Sequence, residues 1–437
     1  MFTDALKIAP KNHQIEGFEF ALKHRYTINA YKMGHGKTLI GIMLSIHTGK
    51  SVVVVPAYLK KKWGREYIKF SSKELKIKVL NSKDVGFVPT DEDVIILNYA
   101  ILKNFKSVFD WATTLIVDEA HYLGNPEAIR TDKMDDYIQD CGLDYVLFLT
   151  GSPVLGKAMQ WYAPLFMMSR CPFETNGKKI LLSYNKFKEK FCFKELVRIA
   201  GGRMIAKFYG IRNTELLHTY MLGKYKRKSD KYEVVLPEFF EKEVMINYDK
   251  VDKELQKAFE EYEKTKEESD AISSAKMHSA VSKIPFTAKY SEDIHNETGE
   301  PIVIFSDHVL PVEEIAAILT KKKYKVAAIT GETEVNKRDD YVSKFQNGNL
   351  DFIVATIGSA STGFDMFKAS NMVFNDKSWI HEYNEQAMKR IHRMGQTKNC
   401  IFHNIYATKF DRFIDKVCVA KSTVSEATTE WEAWQDL

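Results

Sequence analysis

The sequence predicts an α/β protein with two parallel-sheet lobes and a helical linking or insertion region. Ten short apolar runs recur along the 437 residues. Several are consecutive Val and Ile residues without the alternation of a half-exposed strand, a pattern typical of parallel strands buried on both faces. Amphipathic segments such as KTLIGIMLSIH and LKKKWGREYIKF separate the runs and have the pattern of crossover helices.

The ten runs fall into two groups of five, which predict one sheet each. The first group is YTINAY (26–31), SVVVVP (51–56), DVIILNY (93–99), TLIVDEAH (114–121) and YVLFLTGSP (145–153). The second group is PIVIFSD (301–307), KVAAITGET (325–333), DFIVATIG (351–358), NMVFND (371–376) and NCIFHNIY (399–406). We therefore expect a first lobe at 1–155, a helical insertion at 156–240, and a second lobe at 241–437 with a helical lead-in and a C-terminal tail.

Composition narrows the class of protein. A hydrophobic fraction of 45% and a charged fraction of 28% indicate a folded globular chain. No apolar run approaches the ~20 residues that span a bilayer, so we expect no membrane partner. The five cysteines are widely spaced without a Cys-x-x-Cys pair, which favours buried thiols in a reducing, cytoplasmic compartment. The net charge of +5 permits a polyanionic partner without establishing one.

The stretch NAYKMGHGKTLIG (29–41) has the pattern of a phosphate-binding loop between a strand and a helix. Gly34 and Gly36 would keep the backbone close to a nucleotide, whose phosphates the loop and helix N–H groups would bind. Lys37 would neutralise the β- and γ-phosphates of ATP, and the Thr38 hydroxyl would bind Mg²⁺. Tyr31 stands where the usual pattern has its first glycine.

An acidic pair ends the fourth apolar run of the first lobe, at LIVDEAH. Asp118 is expected to bind Mg²⁺ together with Thr38, directly or through water, because Mg²⁺ prefers few carboxylates plus water and phosphate oxygens. Glu119 is expected to orient the attacking water as a base. The cofactors that the sequence predicts are thus ATP and Mg²⁺.

DEAH followed by LTGSP (149–153) resembles motifs II and III of superfamily-two helicases, and more closely those of SWI/SNF-like DNA translocases. That family reads Asp-Glu-Met-Gly-Leu-Gly-Lys-Thr at its loop, where this chain has YKMGHGKT (31–38). The family does not require the first glycine of the general pattern. The departures are Tyr31, Lys32 and His35. The resemblance covers residues 8 to 410 and implies RecA-like lobes.

Further segments match the family in order. PKNHQIEGFEFAL resembles the adenine-recognition segment, with Gln14 as the adenine contact, and ATIGSASTGFDM resembles motif V, with Gly363 and Asp365 at the nucleotide. QAMKRIHRMGQ resembles motif VI, which implies that Arg390 and Arg393 act at the γ-phosphate. Their spacing of three predicts that both face the same way on a helix.

KIPFTAKYSEDI and IVIFSDHVLPVEEI are most similar to the fork-remodelling, strand-annealing branch of the family. The resemblance implies an ATP-dependent translocase or helicase on duplex, forked or junction DNA, working by branch migration, fork regression or unwinding. Replication or recombination proteins are expected partners. The compact length suggests a bacterial or phage gene, and the insertion is expected to supply a wedge between DNA strands.

Sequence-independent DNA binding calls for basic side chains, hydroxyls and backbone N–H groups along the phosphates. In the first lobe, the candidates are Pro56, Lys60, Lys61, Lys62, Asn98, Tyr99 and Asn125. In the second lobe, they are Ser306, His308, Thr330, Gly331, Ser359 and Thr362.

Three alternatives remain at this point. An RNA helicase or RNA-dependent ATPase shares motifs I to III, although motif VI and HYLGNP argue against it. A DNA clamp without ATPase activity is disfavoured by the retained lysine, acidic pair and arginines. The chain could also be the motor subunit of a multi-protein DNA-processing complex that separates no strands.

Overall fold

The computed structural model describes residues 5–32, 34–151, 158–173, 178–198, 204–227, 236–246, 270–360, 365–393, 395–407 and 411–416. The chain forms two compact units, and the division between them falls between Tyr232 and Glu233. Each unit contains one main sheet with helices packed against it.

The described part of the first unit builds a seven-stranded sheet of order β3-β4-β2-β5-β6-β1-β9, whose neighbouring strands run parallel. Its strands are β1 Tyr26–Asn29, β2 Ser51–Val55, β3 Ile77–Val79, β4 Val94–Asn98, β5 Thr114–Asp118, β6 Tyr145–Leu149 and β9 Tyr225–Lys226. The five strands predicted for this lobe are confirmed. The edge strands β3 and β9 were not predicted.

Both faces of this sheet are covered, as the unbroken apolar runs require. In β2, Val52 and Val54 belong to one hydrophobic cluster, whereas Val53 and Val55 belong to the other. The helices of the first unit are α1 Asn12–His24, α2 Lys37–Thr48, α3 Lys60–Phe70, α4 Lys106–Trp111, α5 Ile129–Asp140, α6 Tyr162–Met168, α7 Tyr184–Phe191 and α8 Thr214–Met221. Because neighbouring strands are parallel, the residues at their C-terminal ends lie along the same edge of the sheet.

The prediction of a helical region at 156–240 needs correction. Besides α6, α7 and α8, this stretch contains an antiparallel hairpin of β7 Phe193–Arg198 and β8 Met204–Tyr209. Strand β10, Phe239–Met245, begins before the expected boundary at 240 and pairs in the sheet of the second unit. Charged residues interrupt the sequences of these strands, FKELVR, MIAKFY and FFEKEVM, so none of them has the unbroken apolar run that identified the others.

Within the described residues of the second unit, six parallel strands lie in the order β10-β15-β14-β11-β13-β12. The five strands predicted here are confirmed as β11 Ile302–Ser306, β12 Val326–Ile329, β13 Phe352–Thr356, β14 Asn371–Phe374 and β15 Cys400–Tyr406. Its helices are α9 Asp270–Ser282, α10 Ile284–Thr298, α11 Val309–Lys321, α12 Val335–Gln346, α13 Ile357–Ala360 and α14 His381–Met388. The fold class of two parallel α/β lobes is therefore confirmed.

Two findings concern the expectations drawn from composition. Over the described ranges, no helix is long and apolar enough to cross a membrane. Four of the cysteines, Cys141, Cys171, Cys192 and Cys400, are buried as free thiols. Burial raises the pKa of Cys192 and of Cys400 to about 11, which keeps these thiols protonated at neutral pH.

Candidate functional site

The glycine loop joins β1 to α2 in a conformation that only glycine adopts easily. Gly34 has φ +86°, and Gly36, which precedes the first residue of α2, has φ +69°. A Cβ added at Gly36 would lie 2.1 Å from Nε2 of Gln14, whereas one added at Gly34 would meet no atom within 4 Å. Gly36 therefore provides both the left-handed turn and the space for Gln14.

Lys37 begins α2, and its ammonium bends back over the loop. Its Nζ donates to the carbonyl oxygens of Tyr31, at 2.7 Å, and of Lys32, at 3.2 Å. Thr38 follows as the second residue of the helix and is half-buried. Carbonyl and phosphate oxygens are both acceptors for an ammonium, so the loop can hold Lys37 beside a bound phosphate.

The first turn of α1 is tied to this loop. Gln14 accepts a hydrogen bond from the Lys11 N–H at 2.8 Å through Oε1, and its Nε2 lies 3.4 Å from the Gly36 carbonyl. The ring of His13 contacts the His35 carbonyl through Nε2 at 2.9 Å. The structure therefore brings Gln14 and the phosphate-binding loop together, and it places His13 in contact with His35, one of the departures from the family's pattern.

Asp118 ends β5 with its carboxylate buried. Its Oδ2 accepts from Trp63 Nε1 at 2.8 Å, and its Oδ1 accepts from the Glu119 N–H at 3.0 Å. Burial, and then the charge of Glu119, raise the pKa of Asp118 to about 6, against the lowering effects of the Trp63 hydrogen bond and the Lys37 ammonium. Strands β1 and β5 both pair with β6, so the loop that leads to Lys37 and the carboxylate of Asp118 lie at the same edge of the sheet.

Glu119 directly follows β5 and has a left-handed backbone, with φ 54° and ψ 50°. Such a conformation is unfavourable for a residue with a Cβ. The Tyr99 hydroxyl holds it by donating to the Asp118 carbonyl at 2.7 Å. The Glu119 carboxylate lies 3.3 Å from Nδ1 of His121, and that nitrogen lies 3.5 Å from the Thr150 hydroxyl after β6.

These groups fit ATP and magnesium. Asp118 and Thr38 offer one carboxylate and one hydroxyl, and Mg²⁺ completes such a set with water and phosphate oxygens. In the parts of the chain that the structure describes, no group of three or more His, Cys, Asp or Glu side chains could hold a metal alone. The sequence motifs did not predict the contacts of Trp63 and Tyr99 with the end of β5 or of His121 with Glu119, because these contacts depend on which strand ends are neighbours.

A second feature of the first unit is an open groove of about 540 Å³ at the C-terminal ends of β2, β4 and β5. It brings together three predicted DNA contacts, Pro56, Asn98 and Tyr99, on its lining. The groove is also lined by residues that sequence reasoning missed, namely Tyr58, Lys103, Tyr122 and Arg130. The rings of Tyr99 and Tyr122 stack with centroids 5.3 Å apart.

The three lysines at the start of α3 that are predicted to contact DNA lie in different environments. Lys60 Nζ donates to the Leu80 carbonyl and to Asn81 Oδ1, both at 2.8 Å, and burial lowers its pKa. Lys60 therefore stabilises the loop after β3, while Lys61 is exposed and Lys62 half-buried. Asn125 is exposed, and its Oδ1 accepts from the Glu127 N–H at 3.0 Å.

In the second unit, Ser306 and His308 are held by a buried carboxylate. The Ser306 hydroxyl donates to Asp376, and Nδ1 of His308 lies 3.1 Å from its Oδ2. Burial alone would raise the pKa of Asp376, but His308 and the ammonium groups of Lys276 and Lys283 lower it to about 2. The side chains predicted to contact DNA here are thus engaged inside the unit.

The remaining candidates of the second unit lie after β12 and β13. The Thr330 and Gly331 carbonyls each accept from the Arg338 guanidinium at 2.7 Å. The Ser359 hydroxyl donates to the Thr356 carbonyl at 2.7 Å. Two further candidates, Thr362 and Gly363, lie outside the described residues.

The prediction that Arg390 and Arg393 share a helix face is wrong. Helix α14 ends at Met388, and both arginines lie in the turns that follow. Arg393 is paired with Asp365, and the Arg390 carbonyl accepts from the Met366 N–H at 2.8 Å. The two arginines are therefore joined to the loop that contains Asp365, which keeps three predicted nucleotide residues in one place.

The fold and these residues define a class of protein with two α/β units and a phosphate-binding loop after β1. Its acidic pair lies at the end of β5, which is separated from β1 in the sheet by β6. Comparison with known proteins makes the assignment specific. The SNF2-related domain matches residues 13–295, and the helicase conserved C-terminal domain matches residues 283–395. The chain belongs to the SNF2-related family.

Relatives of this chain include the DNA annealing helicase and endonuclease ZRANB3 of Bos taurus, which is 24% identical over 92% of this chain and 39% of that protein. A Caenorhabditis elegans homologue of the SWI/SNF-related matrix-associated actin-dependent regulator of chromatin subfamily A-like protein 1 is 25% identical over 91% of this chain and 58% of its own length. The chain thus spans 39% to 58% of these relatives.

A solved structure, the Sulfolobus solfataricus SWI2/SNF2 ATPase core in complex with double-stranded DNA, is also similar. It is 21% identical, and the alignment covers 98% of this chain and 95% of that chain with a TM-score of 0.44. The resemblance inferred from the motifs is confirmed at the level of the family, and a protein named as an annealing helicase is among the relatives.

Proposed function

We propose that this protein is an ATP-dependent DNA translocase that remodels duplex or branched DNA. The observation that carries the proposal is the arrangement at one edge of the sheet, where Lys37 follows the glycine loop after β1 and the buried Asp118 carboxylate ends β5, beside Glu119. A lysine, a carboxylate and a second acid in this arrangement suit the hydrolysis of a nucleoside triphosphate.

ATP with Mg²⁺ would supply the phosphoryl group and the positive charge that stabilises its transfer. The loop and Lys37 would bind the phosphates, Thr38 and Asp118 would hold the metal, and Gln14 would contact adenine. Glu119 would orient the attacking water, and its contact with His121 would keep the carboxylate aimed. The contact between Glu119 and His121 therefore favours one orientation of the Glu119 carboxylate.

In the second unit, we assign Arg390 and Arg393 to the γ-phosphate, with Gly363 and Asp365 at the nucleotide. An arginine in this role stabilises the charge that develops during phosphoryl transfer. The pairing of Arg393 with Asp365 supports the assignment, because it holds the guanidinium in a defined position. Substitution of either arginine is expected to lower turnover more than nucleotide affinity.

DNA is the proposed partner because the relative ZRANB3 is named as a DNA annealing helicase. The groove lined by Pro56, Asn98 and Tyr99 supplies a backbone-binding surface in the first unit, with Lys103 and Arg130 as its positive charges. We further propose a reducing, cytoplasmic location, which suits the buried free thiols.

The test is steady-state ATP hydrolysis by the wild type and by Lys37→Ala, with no nucleic acid, single-stranded DNA, duplex DNA, a fork, a four-way junction or RNA. We expect DNA to stimulate turnover, forks or junctions most strongly, and Lys37→Ala to abolish it. Replacement of an exposed lysine, Lys73→Ala, is the control and should leave turnover unchanged. Stimulation by RNA alone, or turnover by Lys37→Ala equal to that of the wild type, would refute the proposal.

A further inference from the structure

The β7–β8 hairpin of the first unit exposes apolar side chains on both of its faces. Phe193 pairs with Tyr209 across the strands, and their ring centroids lie 5.9 Å apart. Phe193 is 45% exposed and Tyr209 is 50% exposed. The opposite face carries Leu196 and Met204, at 62% and 52% exposure. Four large apolar side chains exposed on one hairpin indicate a binding surface.

The base of the hairpin is held firmly by the first unit. Helix α7 leads directly into it and buries Phe187 and Phe191 completely in the hydrophobic core. On the other side, the Arg212 N–H donates to the Phe191 carbonyl at 2.9 Å, and Asn213 Nδ2 donates to the Lys190 carbonyl at 2.7 Å. The exposed aromatic pair therefore stands on a fixed support, next to the core of the motor unit.

The charge of the hairpin and of the segments beside it favours a polyanionic partner. Among the side chains described in residues 184–196 and 204–213, six are basic and two are acidic, a surplus of four that compares with the net +5 of the whole chain. Lys188 and Lys194 lie over the ring of Phe208, on the hairpin face opposite Phe193 and Tyr209, at 5.2 and 6.0 Å. Exposed rings among positive charges suit single-stranded nucleic acid, because bases stack on rings while cations bind phosphates.

We propose that this hairpin binds an unpaired DNA strand and thereby acts as a strand-separating pin. Bases within a duplex stack on one another and present only their edges and phosphates, so exposed rings can stack only on bases that have left the duplex. The Phe193 and Tyr209 rings take the bases of the displaced strand. Lys207 on the same face pairs with Glu195 across the strands, so the phosphates fall to Lys188 and Lys194 beside the Phe208 ring. The inference rests on the proposed function, since the motor must deliver the duplex to the hairpin.

The test compares three variants of the full chain. Phe193→Ala/Tyr209→Ala removes both rings, Phe193→Tyr/Tyr209→Phe keeps them, and Ile68→Ala/Val88→Ala removes side chains of similar exposure elsewhere in the first unit. Each is measured for ATP turnover with a closed duplex, for affinity toward a fluorescent oligo-dT, and for the rate of opening a DNA fork.

Loss of the rings is expected to weaken oligo-dT binding and slow fork opening, each about tenfold, with duplex-stimulated turnover changed by less than about twofold. The ring-keeping variant and the control should behave as the wild type. Unchanged oligo-dT binding and fork opening would overturn the pin while leaving the motor intact. The pin would also be overturned if the ring-free variant lost duplex-stimulated turnover to the same extent as fork opening. A wild-type dimer that dissociates in the ring-free variant would overturn it as well. If the wild type shows no DNA-stimulated turnover, the proposed function fails, and oligo-dT binding still decides whether the rings contact a single strand.

Discussion

Glu119 illustrates, at the scale of one residue, how a site stores strain. Its left-handed backbone turns the chain sharply after β5, so that its carboxylate meets His121 while Asp118 remains buried behind it. A side chain makes this conformation unfavourable, and glycine would adopt it freely. A glutamate at this position is therefore explained by its carboxylate rather than by stability.

A pair of variants separates these two effects. Glu119→Ala and Glu119→Gly both remove the carboxylate, so both are expected to lower ATP turnover by about 10² or more, as for the loss of a general base. They differ in backbone strain, and Glu119→Gly should unfold with about 0.5–1 kcal/mol more free energy than Glu119→Ala in a urea titration. An alanine variant of equal or greater stability would contradict the strain, and turnover near that of the wild type would contradict the role.

Single residues also mark the limits of prediction from the sequence. The motifs predicted roles for Lys37, Asp118 and Glu119 because those motifs depend on the order of neighbouring residues in the sequence. They did not reveal that Lys60 is tied to the Leu80 carbonyl, because that contact depends on a loop twenty residues away. The burial that raises the pKa of Asp118 to about 6 is likewise a property of the packed strand end and of Trp63.

At the scale of elements, β15 carries a histidine that couples stability to pH. His403 lies between Tyr290, whose hydroxyl is 3.0 Å from Nδ1, and Asn371, whose Oδ1 is 3.0 Å from Nε2. Burial, with a smaller effect of Lys242, lowers its pKa to about 4. The folded protein therefore keeps His403 neutral at a pH where the unfolded chain, with a pKa near ~6.5, binds a proton.

The sign of the effect follows from this difference. The stabilisation is fully present above the unfolded pKa and is lost as the pH falls from about 6.5 towards 4. Between pH 7.5 and 5.0, the wild type should lose about 2 kcal/mol more unfolding free energy than His403→Gln, as measured by urea titration. The same substitution at the exposed His278 is the control and should leave the pH dependence unchanged. If the unfolding free energies of the wild type and of His403→Gln changed equally with pH, this account would be contradicted.

Elements with buried apolar runs were predictable, and those without were not. All ten runs became strands of the two sheets because each is covered on both faces. The helix expected through Arg393 ends at Met388 instead, since Gln396 donates to the Ile391 and Ala369 carbonyls and holds the following turns against the chain before β14. Such long-range bonds leave no periodic signal in the sequence.

At the scale of the whole molecule, each unit carries a different part of the proposed motor. The first unit combines the phosphate-binding loop, the acidic pair, the groove and the hairpin, whereas the second carries the two arginines and their link to Asp365. The SNF2-related and helicase C-terminal domains together match residues 13–395, and the first of these matches extends beyond the division between the units, to residue 295. The central claim is that ATP hydrolysis drives this chain along duplex DNA.

The most direct test of that claim is displacement of a third DNA strand from a duplex that carries it at increasing distances from one end. With ATP, the wild type should displace the strand after a lag that grows with distance, because a translocating motor must first cover the intervening duplex. Lys37→Ala, or the wild type without ATP, should displace none. Displacement without a distance-dependent lag, or ATP hydrolysis on duplex DNA with no displacement at all, would contradict the account.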